Sequence, residues 1–318
     1  MIGWRTLNRR FYLRYRMEYV LALALLHCTR AMSPRFAWGC ARLLGSLLFF
    51  LGVRRRVALA NLAIAFPGRS EEERRAIAHR SLQHFCSMTV DLILQNRMLT
   101  ARNIDEHFLV TGWAKEHLEC HGIDELRRRA TKLLFVTAHV GNWELASGYF
   151  SLLGVPIAPV YRSPQNPYLE RLVRSLRLER VYDMIERRGA VQEMLRRLDR
   201  GENIGILFDQ EALYGLYVPF FGRLACTHKT PAVLARDYGI RVFWGTMIRR
   251  GDYLQYEGRG DLLAYPDQSD DKEADLCRII ADLNARLEAV IRENPEQYFW
   301  MHRRWKRSGV HSGEKGPP

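Results

Sequence analysis

The stretch Leu133-Leu-Phe-Val-Thr-Ala-His139-Val-Gly-Asn-Trp-Glu144-Leu-Ala constrains this chain most. An apolar run enters a polar turn and a second apolar run leaves it, which reads as a buried strand, a tight turn and the start of a buried helix. Gly141 permits the backbone such a turn needs. Asn142 is a good N-cap for a helix that begins at Trp143. His139 and Glu144 are five residues apart. On a continuous helix they would diverge by about 140°. They meet only if His139 stays on the turn and Glu144 lies in the first helical turn. Glu144 would then accept one imidazole N–H and leave the other nitrogen free to take a proton. The bland alternative has His139 ending a strand and Glu144 as a solvated first-turn carboxylate. Spacing alone leaves both open.

The surrounding pattern says what kind of domain holds this turn. Strands are expected at Leu133–Thr137, Val155–Tyr161, Ile204–Phe208 and Arg241–Ile248. Between them, Leu169, Leu172, Val173 and Leu176 keep helical spacing, as do Val191, Met194, Leu195 and Leu198. Strands alternating with helices indicate an α/β domain with a mixed sheet flanked by helices. Ser70-Glu-Glu-Glu73 is a capping box that starts a helix. Asn61–Pro67 reads as a short link before it. A last long helix carries Leu276, Ile279, Ile280, Leu283, Leu287 and Val290.

The N-terminal part differs. Arg5, Arg9, Arg10, Arg14 and Arg16 alternate with Trp4, Phe11, Tyr12 and Tyr15, a mixture suited to lipid headgroups. Apolar runs follow at Tyr19–Cys28 and Ala37–Val53, joined near Ser33-Pro34. Neither is a clean span, because spanning takes about 20 apolar residues. The expected organisation is an N-terminal membrane-anchoring helical segment over 1–60, favoured by its flanking arginines over a helical hairpin packed on the rest of the protein, then a catalytic α/β domain over 61–307 and a disordered tail over 308–318. No small-residue cleavage site follows the first apolar run. The net charge of +13 suggests an anionic partner, with a basic solvated surface as the alternative. No nucleic-acid motif accompanies it. The six cysteines are scattered, with no disulfide framework or zinc spacing, and read as core thiols of a reducing compartment.

His139-Val-Gly-Asn-Trp-Glu144 resembles the H-x4-[DE] motif of the lysophospholipid acyltransferase-like superfamily. Further blocks narrow this: Asn61-Leu…Phe66-Pro67, Tyr161-Arg162…Asn166, Arg188-Gly189-Ala190, Phe208-Asp209-Gln210, Val218-Pro-Phe-Phe-Gly222, and Pro295-Glu-Gln-Tyr298…His302-Arg303-Arg304…Lys306. They fall in the order found in the lauroyl/myristoyl acyltransferase family of lipid A biosynthesis. The resemblance covers roughly residues 1–307. It implies a glycerol-3-phosphate acyltransferase-like fold on the cytoplasmic face of the inner membrane. It implies transfer of a fatty acyl chain from acyl carrier protein, or acyl-CoA, to a hydroxyl of a phosphorylated glycolipid, a lipid A precursor. Related enzymes acylate mannosylated phosphatidylinositol or aminolipids. The segment Leu224–Pro231 departs from the plainer members, so the resemblance does not carry acceptor choice.

In that reaction His139 would be the general base and Glu144 its orienting partner. No G-x-S-x-G elbow is present, so direct attack without an acyl-enzyme is expected. Cys226 near His228 is the rival nucleophile. Oxyanion donors would be the N–H groups near Gly141 and Asn142, or Arg162. Arg162 ends a strand, where α/β sheets place ligand-binding groups. Asn166 before Pro167 reads first as a cap. Arg188 with Gly189 opens a helix and could hold an acceptor phosphate. Asp209 and Gln210 follow a very apolar strand, a position where polar groups serve a site more often than a core, and are expected to contact substrate, with capping as the alternative. Arg303, Arg304 and Lys306 with Trp305 read as a phosphate or headgroup patch. No cofactor or metal is called for. Two other readings compete: a non-catalytic basic protein that binds membrane or nucleic acid, and a metal hydrolase, which would want further ligand spacing.

Overall fold

The computed structural model describes residues 9–100, 102–112, 115–116, 131–179, 181, 183–251, 254–266 and 268–307. Helix α1 covers Arg9–Ala31, α2 Pro34–Phe50, α3 Arg55–Ala65, α4 Glu71–Met98 and the short α5 Ile104–His107. Strands β1 (Phe108–Gly112) and β2 (Leu133–Thr137) lead to α6 (Trp143–Leu152). Then come β3 (Ile157–Tyr161), α7 (Pro167–Leu178), β4 (Ile185–Glu186), α8 (Ala190–Asp199) and β5 (Asn203–Leu207). A hairpin of β6 (Glu211–Phe220) and β7 (Arg223–Thr227) precedes α9 (Thr230–Tyr238), β8 (Arg241–Arg249), β9 (Tyr256–Leu263) and α10 (Lys272–Glu293).

Seven of these strands form one sheet in the order β1-β9-β8-β2-β5-β3-β4. The β8–β9 pair is antiparallel and the other described neighbours are parallel, so the sheet is mixed, with helices on its faces. Strand β2 lies between β8 and β5 and is buried over its first four residues, as its apolar run requires. Its end, and therefore His139, falls at the middle of the sheet's C-terminal edge, where α/β sheets build sites.

The expected strands at 133, 157, 204 and 241 are present. β1, β4, the β6–β7 hairpin and β9 were not anticipated. β9 contains Gly258, Arg259, Gly260 and Asp261, too few apolar residues for a strand signal. Asn61 is not in a link: it belongs to α3 and is buried. Its Nδ2 donates to the carbonyls of Trp300 (2.8 Å) and His302 (2.6 Å). Ser81 Oγ donates to the Tyr298 carbonyl at 2.5 Å, and Phe66 packs edge-on to Trp300. Blocks at opposite ends of the sequence thus close on one another beside the site. The capping box at Ser70 forms as expected.

Among the cysteines, Cys226 is buried, whereas Cys28 and Cys40 are exposed, so the expectation of uniform core thiols fails on α1 and α2. Cys120 and residues 308–318 lie outside the described residues. Among the described helices none is long and apolar enough to cross a membrane alone. Helices α2 and α3, bent by 89° between them, reach that length and composition only together. Helix α2 packs one face on α4, where Gly45 brings the backbones close. A Cβ there would lie 2.5 Å from the Gln83 Cα. Its opposite face leaves Phe36, Leu43, Leu47 and Phe50 exposed.

Candidate active site

The His139 turn is fixed from behind before any substrate arrives. Gly141 has φ +60°, and a Cβ there would sit 2.0 Å from the Met247 carbonyl oxygen, so only glycine fits. The Gly141 N–H donates to the Gln297 carbonyl (3.0 Å) and the Asn142 N–H to the Met247 carbonyl (2.7 Å). Both N–H groups are therefore engaged, which takes away the oxyanion role expected of them. The Asn142 side chain is fully buried. Its Oδ1 caps α6 by accepting from the Leu145 N–H (3.2 Å). Its Nδ2 donates to Asp91 Oδ2 (3.2 Å) and to the Tyr256 hydroxyl (2.9 Å). Arg249 and Tyr256 also bond the Asp91 carboxylate, in a buried network. Nothing in the sequence pattern marked Asp91, Arg249 or Tyr256, which come from α4, β8 and β9.

His139 is held by a carboxylate, but not the expected one. Its Nδ1 bonds Asp209 Oδ1 at 2.8 Å, and its backbone N–H reaches both Asp209 oxygens at 3.1 Å. Parallel pairing of β2 with β5 aligns Thr137 with Leu207. His139 and Asp209 each stand two residues past those partners and so face each other. Asp209 is 1% exposed. Burial pushes its pKa up, but the His139 charge, its hydrogen bonds and the Arg304 charge outweigh that and hold it below the usual carboxylate range. The ring's other nitrogen, Nε2, faces a cleft and accepts from Gln210 Nε2 at 3.1 Å. Trp143 packs edge-on to the imidazole, with ring centroids 4.9 Å apart.

Glu144 lies in the first turn of α6, as expected, and lines the same cleft. Its carboxylate is bonded by Arg177 Nε (2.9 Å) and Nη2, a two-point ion pair across to α7. The expectation that Glu144 grips the imidazole is therefore not what the geometry gives. Arg177 forks both Glu144 oxygens, and Asp209 occupies Nδ1.

The cleft around His139 measures about 480 Å³ and includes Glu144, Tyr161, Arg162, Arg177, Gln210 and Phe299. A second cleft of about 260 Å³ shares His139, Arg162 and Gln210 and adds Arg187 and His228. A third, narrow and apolar, runs beside α6 among Phe135, Phe150, Phe243 and Met247. It shares Trp143, Ser147, Pro159 and Leu207 with the first. Arg162, exposed just past β3, borders both polar clefts.

The other expected residues divide. Asn166 is buried and caps α7, accepting from the Tyr168 N–H (3.0 Å), while its Nδ2 donates to the Tyr15 carbonyl. Gly189 is the N-cap residue of α8 at φ +72°. Arg188 is exposed and lines none of these clefts; its neighbour Arg187 does. Cys226 is buried in β7, with its carbonyl accepting from Arg304. Arg304 is 1% exposed, bonds Thr227 Oγ1 (2.6 Å) and stacks on Phe220, and Trp305 is buried. The expected basic headgroup patch therefore loses two of its four members to the core.

A family model, Bacterial lipid A biosynthesis acyltransferase, matches residues 7–307. The chain belongs to the bacterial lipid A biosynthesis acyltransferase family. It is an acyltransferase. The lipid A biosynthesis palmitoleoyltransferase of Escherichia coli strain K12 is 28% identical over 272 residues, covering 82% of this chain and 81% of that protein. The lauroyltransferase of the same strain is 27% identical over 274 residues, covering 84% of each. The myristoyltransferase is 24% identical over 255 residues, covering 78% of this chain and 73% of that one.

The acyltransferase holds two neutral histidines close to this site. Burial, aided by the Arg249 charge, pushes His84 down to about 4, and its Nε2 donates to the Gly141 carbonyl at 2.9 Å. Burial likewise pushes His302 down to about 4, where its Nε2 accepts from the Glu211 N–H at 2.8 Å. An unfolded histidine titrates at about 6.5. Below that pH the unfolded chain binds protons that the folded chain refuses, so stability falls from about pH 6.5 down to about pH 4. Asp209, depressed below the usual carboxylate range, loses its contribution only at still lower pH. The urea midpoint is expected to drop on acidification between those limits. His84→Gln with His302→Gln, which keeps a donor and an acceptor in place, should flatten that drop. An unchanged pH slope in the double variant would show that these histidines do not set it.

Proposed function

We propose that this acyltransferase moves a fatty acyl chain from acyl carrier protein, or acyl-CoA, to a hydroxyl of a lipid A precursor, with His139 as general base. The observation that carries this reading is His139 itself. One ring nitrogen is gripped by a buried carboxylate, and the other faces a cleft that shares four lining residues with an apolar channel. The acceptor hydroxyl displaces Gln210 from Nε2 and gives up its proton there as its oxygen attacks the thioester carbonyl. Asp209 stabilises the imidazolium at Nδ1. Arg162 meets the developing oxyanion, since the Gly141 and Asn142 N–H groups are committed elsewhere. The intermediate collapses and expels the thiolate, which takes the proton back from Nε2. Glu144 acts through its ion pair with Arg177, holding α6 against α7 across the cleft. Cys226, buried in a strand, supports no acyl-enzyme.

Substrate sides follow from the lining. The apolar channel suits the acyl chain. Arg162 and Arg187, beside the start of α8, suit a phosphate of the acceptor glycolipid. Three relatives named for three different acyl chains match this chain at similar identity, so acyl length is left to the channel's own side chains. The exposed apolar face of α2 and the arginine-rich start support attachment to the cytoplasmic face of the inner membrane. Residues 1–60 would form the anchoring segment and 61–307 the catalytic domain. An alternative acceptor, another amphiphile such as mannosylated phosphatidylinositol or an aminolipid, would use the same chemistry.

Steady-state assays with an acyl thioester and a lipid A precursor test the mechanism. His139→Ala is expected to lower kcat by about 10²–10⁴-fold. Asp209→Asn, which keeps the side chain's size, should fall in the same direction with little change in donor KM. A folded Asp209→Asn enzyme with wild-type kcat would remove Asp209 from the mechanism.

Ser147 lines both the His139 cleft and the apolar channel. A tryptophan there fills the passage. Each methylene kept out of apolar surroundings costs about 0.8 kcal/mol. Across donors of increasing chain length, Ser147→Trp should therefore lose kcat/KM most steeply for the longest chains. A uniform loss at all lengths would place the acyl chain elsewhere.

Membrane attachment through α2 predicts that Leu43→Gln, Leu47→Gln and Phe50→Gln together weaken binding to anionic vesicles by at least about 100-fold, since burying such a side chain is worth about 2 kcal/mol. All three side chains are exposed, and only Phe50 touches α4, its ring centroid 5.4 Å from that of His79, so the fold should persist by circular dichroism. Flotation equal to wild type would discard this face as the anchor.

A further inference from the structure

A separate polar cleft of about 280 Å³ lies where α2, α4, the end of β8 and the turn at Glu296–Gln297 meet. It shares no lining residue with the three clefts around His139. Three arginines line it: Arg42 of α2, Arg80 of α4 and Arg249 of β8. Arg249 is locked in place. Its backbone N–H and carbonyl are both held by the Gln297 side chain (2.8 and 3.0 Å), its Nη2 bonds Asp91, and its guanidinium stacks on Tyr256. The side chain is only 7% exposed, yet its Nε and Nη1 have no hydrogen-bond partner among the described residues. The buried indole N–H of Trp38, another lining residue, has none either.

Buried donors left unpaired are costly, and natural proteins retain few of them. Here three such nitrogens sit on residues lining one cleft, under the planar cation best suited to oxyanions. Two carboxylates, Asp91 behind and Glu296 on the rim, offset two of the three guanidinium charges and leave an excess positive charge. Water could satisfy the donors but not that charge. Arg42 stacks 4.9 Å over the Trp38 ring, so it is already oriented at the mouth.

We propose that this cleft is a binding site for the phosphoryl group of a phosphoester, held by Arg249 and Trp38 from within and by Arg42 and Arg80 at its mouth. The ligand is either a phospholipid headgroup, reached beside the exposed apolar face of α2, or a free phosphate group. The site does not rest on the acyl-transfer reading.

The Trp38 indole N–H reports on it directly. Its ¹⁵N-indole resonance is assigned by Trp38→Phe. It is then followed in the full-length protein during titration with inorganic phosphate, with chloride holding ionic strength constant. A parallel titration uses dihexanoyl phosphatidylglycerol below its micellar concentration. The resonance is expected to shift saturably with at least one probe. Arg42→Gln with Arg80→Gln should raise the half-saturating concentration by about tenfold or more. Arg35→Gln with Arg56→Gln, which removes the same charge from exposed positions off the cleft, should leave it within about twofold. Tighter binding of the phosphatidylglycerol identifies a headgroup, and tighter binding of inorganic phosphate identifies a free phosphate; either supports the site. No saturable shift with either probe, or an Arg42→Gln, Arg80→Gln variant that titrates like wild type, overturns it.

Discussion

One carboxylate holds the centre of this molecule together. Asp209 accepts from both the ring and the backbone of His139, and so fixes where the imidazole is and which way it faces. A carboxylate buried to this degree stays ionised only when its surroundings supply positive charge and N–H groups. Here they come from His139 and from Arg304, itself buried. The surrounding architecture follows from that requirement. β2 and β5 must be neighbours and parallel, and Arg304 must return from the far end of the chain to stand behind them. That explains why Arg304, in a basic stretch near the C-terminus, is folded inward while its neighbours Arg303 and Lys306 stay exposed.

The turn that carries His139 shows a second layer of the same logic. Its backbone N–H groups donate inward to Gln297 and Met247, and its Asn142 side chain reaches into the Asp91–Arg249–Tyr256 network. Burial raises the Asp91 pKa against the pull of Arg249, so this ion pair sits in a costly place. Such a network fixes geometry more than it adds stability. Its other members come from α4, β8 and β9, elements far apart in sequence, and they converge on the turn through Asn142, the cap of α6. In the proposed mechanism the imidazole is thus pre-positioned, and the enzyme need not reorganise its own polar groups during proton transfer.

What the sequence disclosed and what it withheld divide along a physical line. Local signals were legible: the apolar run of β2, the Asn142 and Asn166 caps, the Ser70 capping box and the first-turn position of Glu144 all follow from neighbours a few residues away. Long-range pairing was not legible. Five residues separate His139 from Glu144 and seventy separate it from Asp209, so proximity in sequence favoured the wrong carboxylate. Only strand order decides the matter, and a parallel sheet hides its order because crossover helices let any strand neighbour any other. The glycine-rich β9 was missed because it is recognised by its partners and not by its own composition. The single-residue slip from Arg188 to Arg187 has the same origin. Both adjoin Gly189, and only the fold determines which one lines the cleft.

The fate of Glu144 follows from this geometry. A carboxylate in the first turn of a helix is favoured electrostatically whether or not it touches the base. At i+5 from His139 it lies on the cleft wall, within reach of α7, and Arg177 supplies a fork that matches both of its oxygens. Two carboxylates thus serve one imidazole by different means, Asp209 brought by strand pairing and Glu144 by the motif spacing. Asp209 acts on the ring through a direct bond. Glu144 acts on the cleft by tying the helix after the turn to the helix on the opposite wall. Of the two clefts lined by His139, the larger is bounded by α6 on one side and α7 on the other, and the second by Arg162 and α8. An ion pair that fixes α6 therefore sets the width of the passage where a thioester carbonyl and a hydroxyl would have to meet.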